Sequence, residues 1–261
     1  MSSNPQPPSR PLYLAHTTLL DATATAVIDA AAAAGYQGVG LRVHPSPSLP
    51  YHPLLGRPDL IREVRHALSA TRLEVLDALS FYLLPDTDVA AMLPALELAA
   101  HFGARYVLAQ GNDSDWTRQA DNFAIFCAAA ARFDLRVALE FVPARRIATL
   151  DQAARLIAET DPGNAGILVD TLHLANSGAT AGDLTTLELQ WFAYAQVSDG
   201  SKGARALPGE GELPLASMLA ALPATLPLSV EVLQPATGPH AGLDARAWAA
   251  LALATTRSLV P

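Results

Sequence analysis

The sequence predicts an α/β protein, a single (β/α)8 barrel, and two observations carry that expectation. Eight short apolar runs alternate with longer Ala- and Leu-rich amphipathic stretches over the 261 residues, the spacing of eight strand–helix units. Four of the later runs also carry an acid or an amide close to their C-terminal end, as barrel strands do when they deliver groups to one rim. A doubly wound open sheet shares the alternation, which by itself does not count closure. No G-x-G-x-x-G follows the first run, and this lowers the nucleotide-binding form of that alternative.

The strand-like runs are "LYLAH" (12–16), "GVGLRV" (38–43), "EVLDALSF" (74–81), "RYVLAQ" (105–110), "RVALEFV" (136–142), "GILVD" (166–170), "FAYAQVS" (192–198) and "LSVEVL" (228–233). Their β-branched and aromatic content suits strands packed on both faces. Helices are expected over 21–35, 57–71, 87–103, 115–133, 149–160, 213–222 and 243–258. Asp21 and Thr149 are placed to cap helix N-termini, and Gly35 and Gly103 to close C-termini. The third and seventh units are the least regular. Residues 1–11, "MSSNPQPPSRP", are polar and proline-rich without the apolar centre of a signal peptide. They read as a disordered leader before a barrel over 12–261, in a cytoplasmic protein.

Composition excludes several classes. The formal net charge is -8, with no Lys/Arg-rich block, so nucleic acid is not an expected partner. No apolar run approaches the ~18 residues of a membrane span. One cysteine, Cys127, lies in the Ala-rich run "NFAIFCAAAARF". It permits no intrachain disulfide and reads as a buried helix residue.

The chemistry collects at the ends of the late runs. Glu140 follows "RVAL", Asp170 follows "GILV", Gln196 follows "FAYA" and Glu231 follows "LSV". Parity agrees in each: Ala138 shares a face with Glu140, Leu168 with Asp170, Tyr194 with Gln196, and Ser229 with Glu231. Three carboxylates gathered in an apolar barrel repel one another and lose their hydration unless a cation compensates. One divalent metal ion is the simplest compensation. Oxygen ligands favour Mn²⁺ or Mg²⁺, with Co²⁺ or Zn²⁺ as the less favoured ions.

The stretches "LEFVP", "VDTLHLANSG", "AQVSDGSKGARALPGEGELPL" and "LSVEVL" resemble the sugar phosphate isomerase/epimerase family, the xylose isomerase-like TIM barrels. The resemblance is strongest over 136–235. It implies that Glu140, Asp170 and Glu231 bind one divalent metal and that Glu140 and Glu231 exchange protons with substrate. The position of a customary histidine ligand holds Gln196, in the pattern "Q-x-x-D". The resemblance assigns His173 and Arg205 to substrate. Arg42, His44 and His16, at the ends of the first two runs, are further candidates for the pocket wall. Asn176 stands where relatives often carry Arg, which weakens the case for a phosphorylated substrate. Glu210, in "PGEGELPL", is a candidate to touch the site.

The implied function is metal-dependent proton transfer beside a carbonyl of a small sugar, keto-sugar or polyol derivative, giving an isomer or epimer. The alternatives are a metal-dependent dehydratase of a small hydroxy acid or inosose-type substrate, and a non-catalytic barrel that binds a small ligand. An endonuclease of the same superfamily would need a histidine-rich zinc cluster, and the chain has seven His, most of them away from strand ends. The expected partner is a small molecule, with neither membrane nor nucleic acid. Homo-oligomerisation is compatible with the sequence.

Overall fold

The structure is a computed structural model and describes residues 10–46, 49–201, 204–238 and 240–260. Seven strands, β1 (Leu12–Leu14), β2 (Gly38–Arg42), β3 (Glu74–Leu83), β4 (Tyr106–Gly111), β5 (Arg136–Glu140), β6 (Ala165–Asp170) and β7 (Phe192–Val197), are joined by β10 (Leu228–Val230). They close a parallel barrel in the order β1-β10-β7-β6-β5-β4-β3-β2. Closure settles the choice that alternation left open. Between β7 and β10 lies a small antiparallel hairpin of β8 (Asp199–Ser201) and β9 (Ala204–Ala206).

Helices α1 (Ala24–Ala34), α2 (Pro58–Thr71), α3 (Val89–His101), α4 (Trp116–Ala131), α5 (Leu150–Thr160), α8 (Leu215–Ala221) and α9 (Ala245–Arg257) fall within the expected stretches. The sixth unit carries two short helices instead of one, α6 (Thr171–Asn176) and α7 (Ala181–Leu184). Thr149 caps α5 by accepting from the Gln152 amide at 3.2 Å, and Gly35 closes α1 with φ +89°, a conformation open to glycine. Asp21 does not cap. Thr23 does, accepting from the Ala26 amide, because a short 3-10 turn, His16–Leu19, follows β1 and delays the helix. Of the expected leader, residues 1–9 lie outside the described residues. Arg10 and Pro11 are tied to the barrel: the Arg10 guanidinium donates to the carbonyls of Leu219, Leu222 and Ala224, and the Leu228 amide donates to the Pro11 carbonyl.

Two apolar layers result from strand parity. Outward residues such as Val39, Leu41, Val107, Val137, Ile167 and Val197 pack against the helices. Inward residues Tyr13, Leu76, Leu79, Tyr106, Leu108, Ala138, Leu168, Ala193 and Tyr194 fill the barrel. This inner plug is the floor on which the next inward rung stands. Cys127 is fully buried in α4, and burial pushes its thiol up to about 12, so it is inert packing. Among the described residues no helix is long and apolar enough to cross a membrane.

Candidate functional site

One rung above the apolar floor, the inward positions turn polar. Glu140 ends β5, Asp170 ends β6, Gln196 is the last inward residue of β7 and Glu231 follows β10 directly. All four are buried. The structure therefore brings together the four strand-end groups that the sequence singles out. A fifth, Gln110 on β4, stands level with Glu140 in the strand register and its Nε2 donates to Glu140 Oε2. The sequence carried that signal, since "RYVLAQ" ends in an amide as "FAYAQ" does. A neutral Gln gave no electrostatic reason to single it out.

Asp170 does two jobs. Its Oδ1 caps α6, accepting from the His173 amide at 2.9 Å, and its Oδ2 accepts from Arg205 Nη1 at 2.8 Å. The cap fixes the carboxylate and also aims α6 so that His173 returns to the same mouth. His173 Nε2 lies 3.7 Å from Glu140 Oε1. The ligand atoms of Glu140, Asp170 and His173 all lie within 4.8 Å of one another. His173 thus joins the metal-competent cluster.

Arg205 reaches the site from β9. Its Nη1 also donates to Ser198 Oγ at 2.8 Å, and its Nη2 lies 3.3 Å from Glu231 Oε2. Thr17 donates to the other oxygen, Glu231 Oε1, at 2.7 Å. Arg205 is the positive charge among three carboxylates, and its fully formed ion pairs hold it protonated. Burial raises Asp170, but the Arg205 charge and the hydrogen bond from the His173 amide outweigh it and hold the carboxyl below its ordinary value. Glu140 goes the other way: burial, with Glu231 and Asp170 nearby, lifts it well above the usual range. Glu231 is also raised, by burial first, against the pull of Arg205. Burial, against the pull of Asp170, lowers the His173 imidazole below its ordinary value.

The loop that carries Arg205 is held by a single carboxylate. Asp199 accepts from the amides of Gly200 (2.8 Å), Leu213 (2.9 Å) and Gly209 (3.0 Å). Gly211 must lack a Cβ, which would lie 2.3 Å from Asp199 Oδ1. Replacing Asp199 by Ala strands three backbone donors and is expected to cost about 2–3 kcal/mol, read as a lower unfolding midpoint in denaturant. An unchanged midpoint would contradict this role. Glu210, in the same loop, lies 3.2 Å from His240 Nε2.

Beneath the site lies a buried acid, Asp77, on the inner face of β3. Tyr194 Oη donates to its Oδ2 at 2.8 Å. Gly40 leaves room for it, since a Cβ there would lie 2.3 Å from Asp77 Oδ1. Burial, reinforced by Glu231 and opposed by the Tyr194 hydrogen bond, raises the Asp77 carboxyl to about 7. The folded protein then keeps a proton that the unfolded chain loses near pH 4, so this group makes stability fall from about pH 4 to about pH 7. Asp77→Asn removes the fall. The variant is expected to gain on the wild type by a few kcal/mol as pH rises through that window. Chemical denaturation at pH 5 and pH 8 checks this, and a pH-independent difference would refute it.

The early-strand candidates fare differently. His16 stands in the 3-10 turn after β1, not on the strand. Its Nδ1 accepts from the Arg42 amide at 3.0 Å, so Nε2 carries the proton and donates to the Ala22 carbonyl at 3.1 Å. Burial holds the ring neutral, with its titration moved down to about 4. Both nitrogens are spent on backbone, and none is left to bind substrate. His44 stacks on Phe81 at 5.0 Å and contacts the Ser80 carbonyl through Nδ1. Arg42 is buried on the inner face of β2.

The sequence matches the model of the xylose isomerase-like TIM barrel family over residues 28–251. The chain belongs to this family. Sequence comparison with curated proteins finds no match. Solved structures of the same fold include the IolI protein with a binding zinc atom, at 17% identity and TM-score 0.79 over 95% of this chain and 97% of that one. The 3-keto-D-glucoside 4-epimerase YcjR from E. coli superposes with TM-score 0.74 at 18% identity, covering 95% and 99% of the two chains. A D-psicose 3-epimerase in the presence of D-fructose superposes with TM-score 0.74 at 14% identity over 95% and 99%. At these identities the likeness establishes the xylose isomerase-like fold.

Proposed function

We propose that this xylose isomerase-like barrel is a divalent-metal-dependent isomerase or epimerase of a small sugar, keto-sugar or polyol derivative. One observation carries the reading. Two buried carboxyls, Glu140 and Glu231, flank Asp170 around the mouth, and each is held above the ordinary carboxyl range. Two carboxyls raised by burial on either side of one acid are placed to give and take a proton, the task of a general acid–base pair. The sugar epimerases of the same fold support the choice of reaction class.

The residues suit a divalent ion. Glu140, Asp170 and His173 form the compact cluster, and Gln196 Oε1 is a buried oxygen with no hydrogen-bond partner among the described residues, while Glu231 Oε2 has only its 3.3 Å ion pair with Arg205. Buried acceptors left unpaired are costly, and a cation is the partner that acceptors of this kind favour. Oxygen-rich ligation favours Mn²⁺ or Mg²⁺, while the His173 imidazole also suits Co²⁺ or Zn²⁺; the zinc atom of the IolI protein supports a metal here. When bound, such an ion supplies Lewis-acid polarisation of the substrate carbonyl.

The chain's own residues do the rest. Glu231, fixed by Thr17, takes the proton from the carbon beside the carbonyl, and Glu140, oriented by Gln110, returns one. Arg205 meets the negative charge that develops on substrate oxygen. His173 holds a substrate hydroxyl. The test is deuterium wash-in from D2O, followed by NMR over a panel of ketoses, keto-polyols and keto sugar acids with Mn²⁺ or Mg²⁺. The expected result is metal-dependent deuterium at the carbon beside the carbonyl, with an isomer or epimer as product. Loss of water from the product would assign a dehydratase. No exchange by metal-loaded protein on any member of the panel would leave a ligand-binding barrel.

A further inference from the structure

The proton-transfer chemistry leaves one buried cation unused. Arg42 ends β2 on its inner face: Val39, Leu41 and Val43 pack outward, while Gly38 and Gly40, of the same parity as Arg42, face Tyr13 and Asp77. In the closed strand order β2 stands opposite β6, so Arg42 is placed across the barrel mouth from Asp170. It is 2% exposed. Its Nη1 donates to the Pro50 carbonyl, and the guanidinium lies 5.7 Å from the centre of the Tyr51 ring. Its Nε and Nη2 are buried and have no partner among the described residues.

Those two atoms are not an arbitrary pair. With Nη1 engaged, Nε–H and Nη2–H form the parallel edge of the guanidinium, the fork that accepts a planar two-oxygen anion. Arg205, the other arginine at the mouth, has two carboxylates of the chain as partners. Arg42 has none among the described residues. A buried charge with an unmet hydrogen-bonding edge is costly, and a ligand that supplies the missing anion recovers that cost.

We propose that Arg42 is a subsite for a carboxylate of the substrate, so that the substrate is a sugar acid or hydroxy acid and not a neutral sugar. Its role as a substrate subsite rests on the isomerase/epimerase reading; the recognition of a carboxylate does not. A single cation with one free fork matches the charge and shape of a carboxylate better than a phosphate dianion.

The test is calorimetric titration of the full chain, treated with EDTA so that a metal cannot take the carboxylate. The four-carbon sugar acid erythronate is compared with erythritol, its neutral counterpart. Wild type is expected to prefer erythronate by about tenfold or more. Arg42→Met should bring erythronate down to the erythritol level while keeping the unfolding temperature at or above that of wild type, since a structural ion pair is not being broken. Arg42→Lys, which keeps the charge and loses the fork, should recover only part of the preference, and it carries the test if Arg42→Met does not fold. No preference in wild type, or an unchanged preference in Arg42→Met, would overturn the proposal. Tighter binding of inorganic phosphate than of erythronate, lost in Arg42→Met, would overturn the carboxylate assignment. A parallel Mn²⁺ titration separates the two readings: failure of wild type to bind Mn²⁺ sinks the metal-dependent chemistry and leaves the erythronate result standing.

Discussion

Glu231→Gln is expected to lower turnover by about 10²–10⁴-fold, the usual contribution of a positioned acid or base, with the fold intact. Gln keeps the length of the side chain and a carbonyl oxygen to accept from Thr17, which donates to Glu231 Oε1 at 2.7 Å. What it loses is the exchangeable proton and the charge facing Arg205. Glu140→Gln should act with similar size, because a flipped amide still gives Gln110 an acceptor. Glu140 also belongs to the metal-competent cluster, so that variant must be assayed at saturating Mn²⁺. Groups that act as a unit are not additive, and the double variant should be little worse than either single one. The deuterium wash-in assay reads all three. Turnover within threefold of wild type in Glu231→Gln would remove it from the chemistry.

Mn²⁺ at about 100 times its dissociation constant is expected to stabilise the protein by about 2.7 kcal/mol, and EDTA should reverse the gain. For a chain of this size that corresponds to an unfolding temperature higher by roughly 5–10 °C. Asp170→Asn should abolish the shift. Asn can still cap α6 as Asp170 does, so the helix is retained. Arg205, however, loses the charge of its 2.8 Å partner while 13% exposed and keeps only Glu231. Breaking a buried pair in this way costs about 3 kcal/mol, seen as a lower midpoint even in EDTA. Thermal unfolding with and without Mn²⁺ separates the two effects. A full metal shift in Asp170→Asn would place the ion elsewhere.

Much of this site was legible in the chain because barrel geometry converts sequence position into spatial position. Glu140, Asp170, Gln196 and Glu231 each stand near the end of an apolar run with inward parity, and in a closed parallel barrel equal positions on successive strands meet at one end. Arg205 and His173 were reached through resemblance. The structure then assigned their partners: Arg205 to Asp170 and Glu231, His173 to the Glu140–Asp170 cluster.

What stayed hidden depends on contacts between distant segments. Thr17 meets Glu231 across 214 positions, and Asp77 meets Tyr194 across 117. His16 reads as a strand-end imidazole, yet two backbone groups consume both its nitrogens. The hairpin that delivers Arg205 has strands of three residues, too short for any periodicity. Its clasp, Asp199, looks like an ordinary loop acid until three amides are seen to converge on it.

By itself the sequence determined the strand–helix alternation, the inward rung of acids and amides, and the buried cysteine, because periodicity and strand-end position are local properties of the chain. Only the tertiary structure decided that the sheet closes, which charges neutralise one another, and that Arg42 keeps an edge without a partner among the described residues. Closure and charge pairing depend on which strands meet, and no local pattern records that.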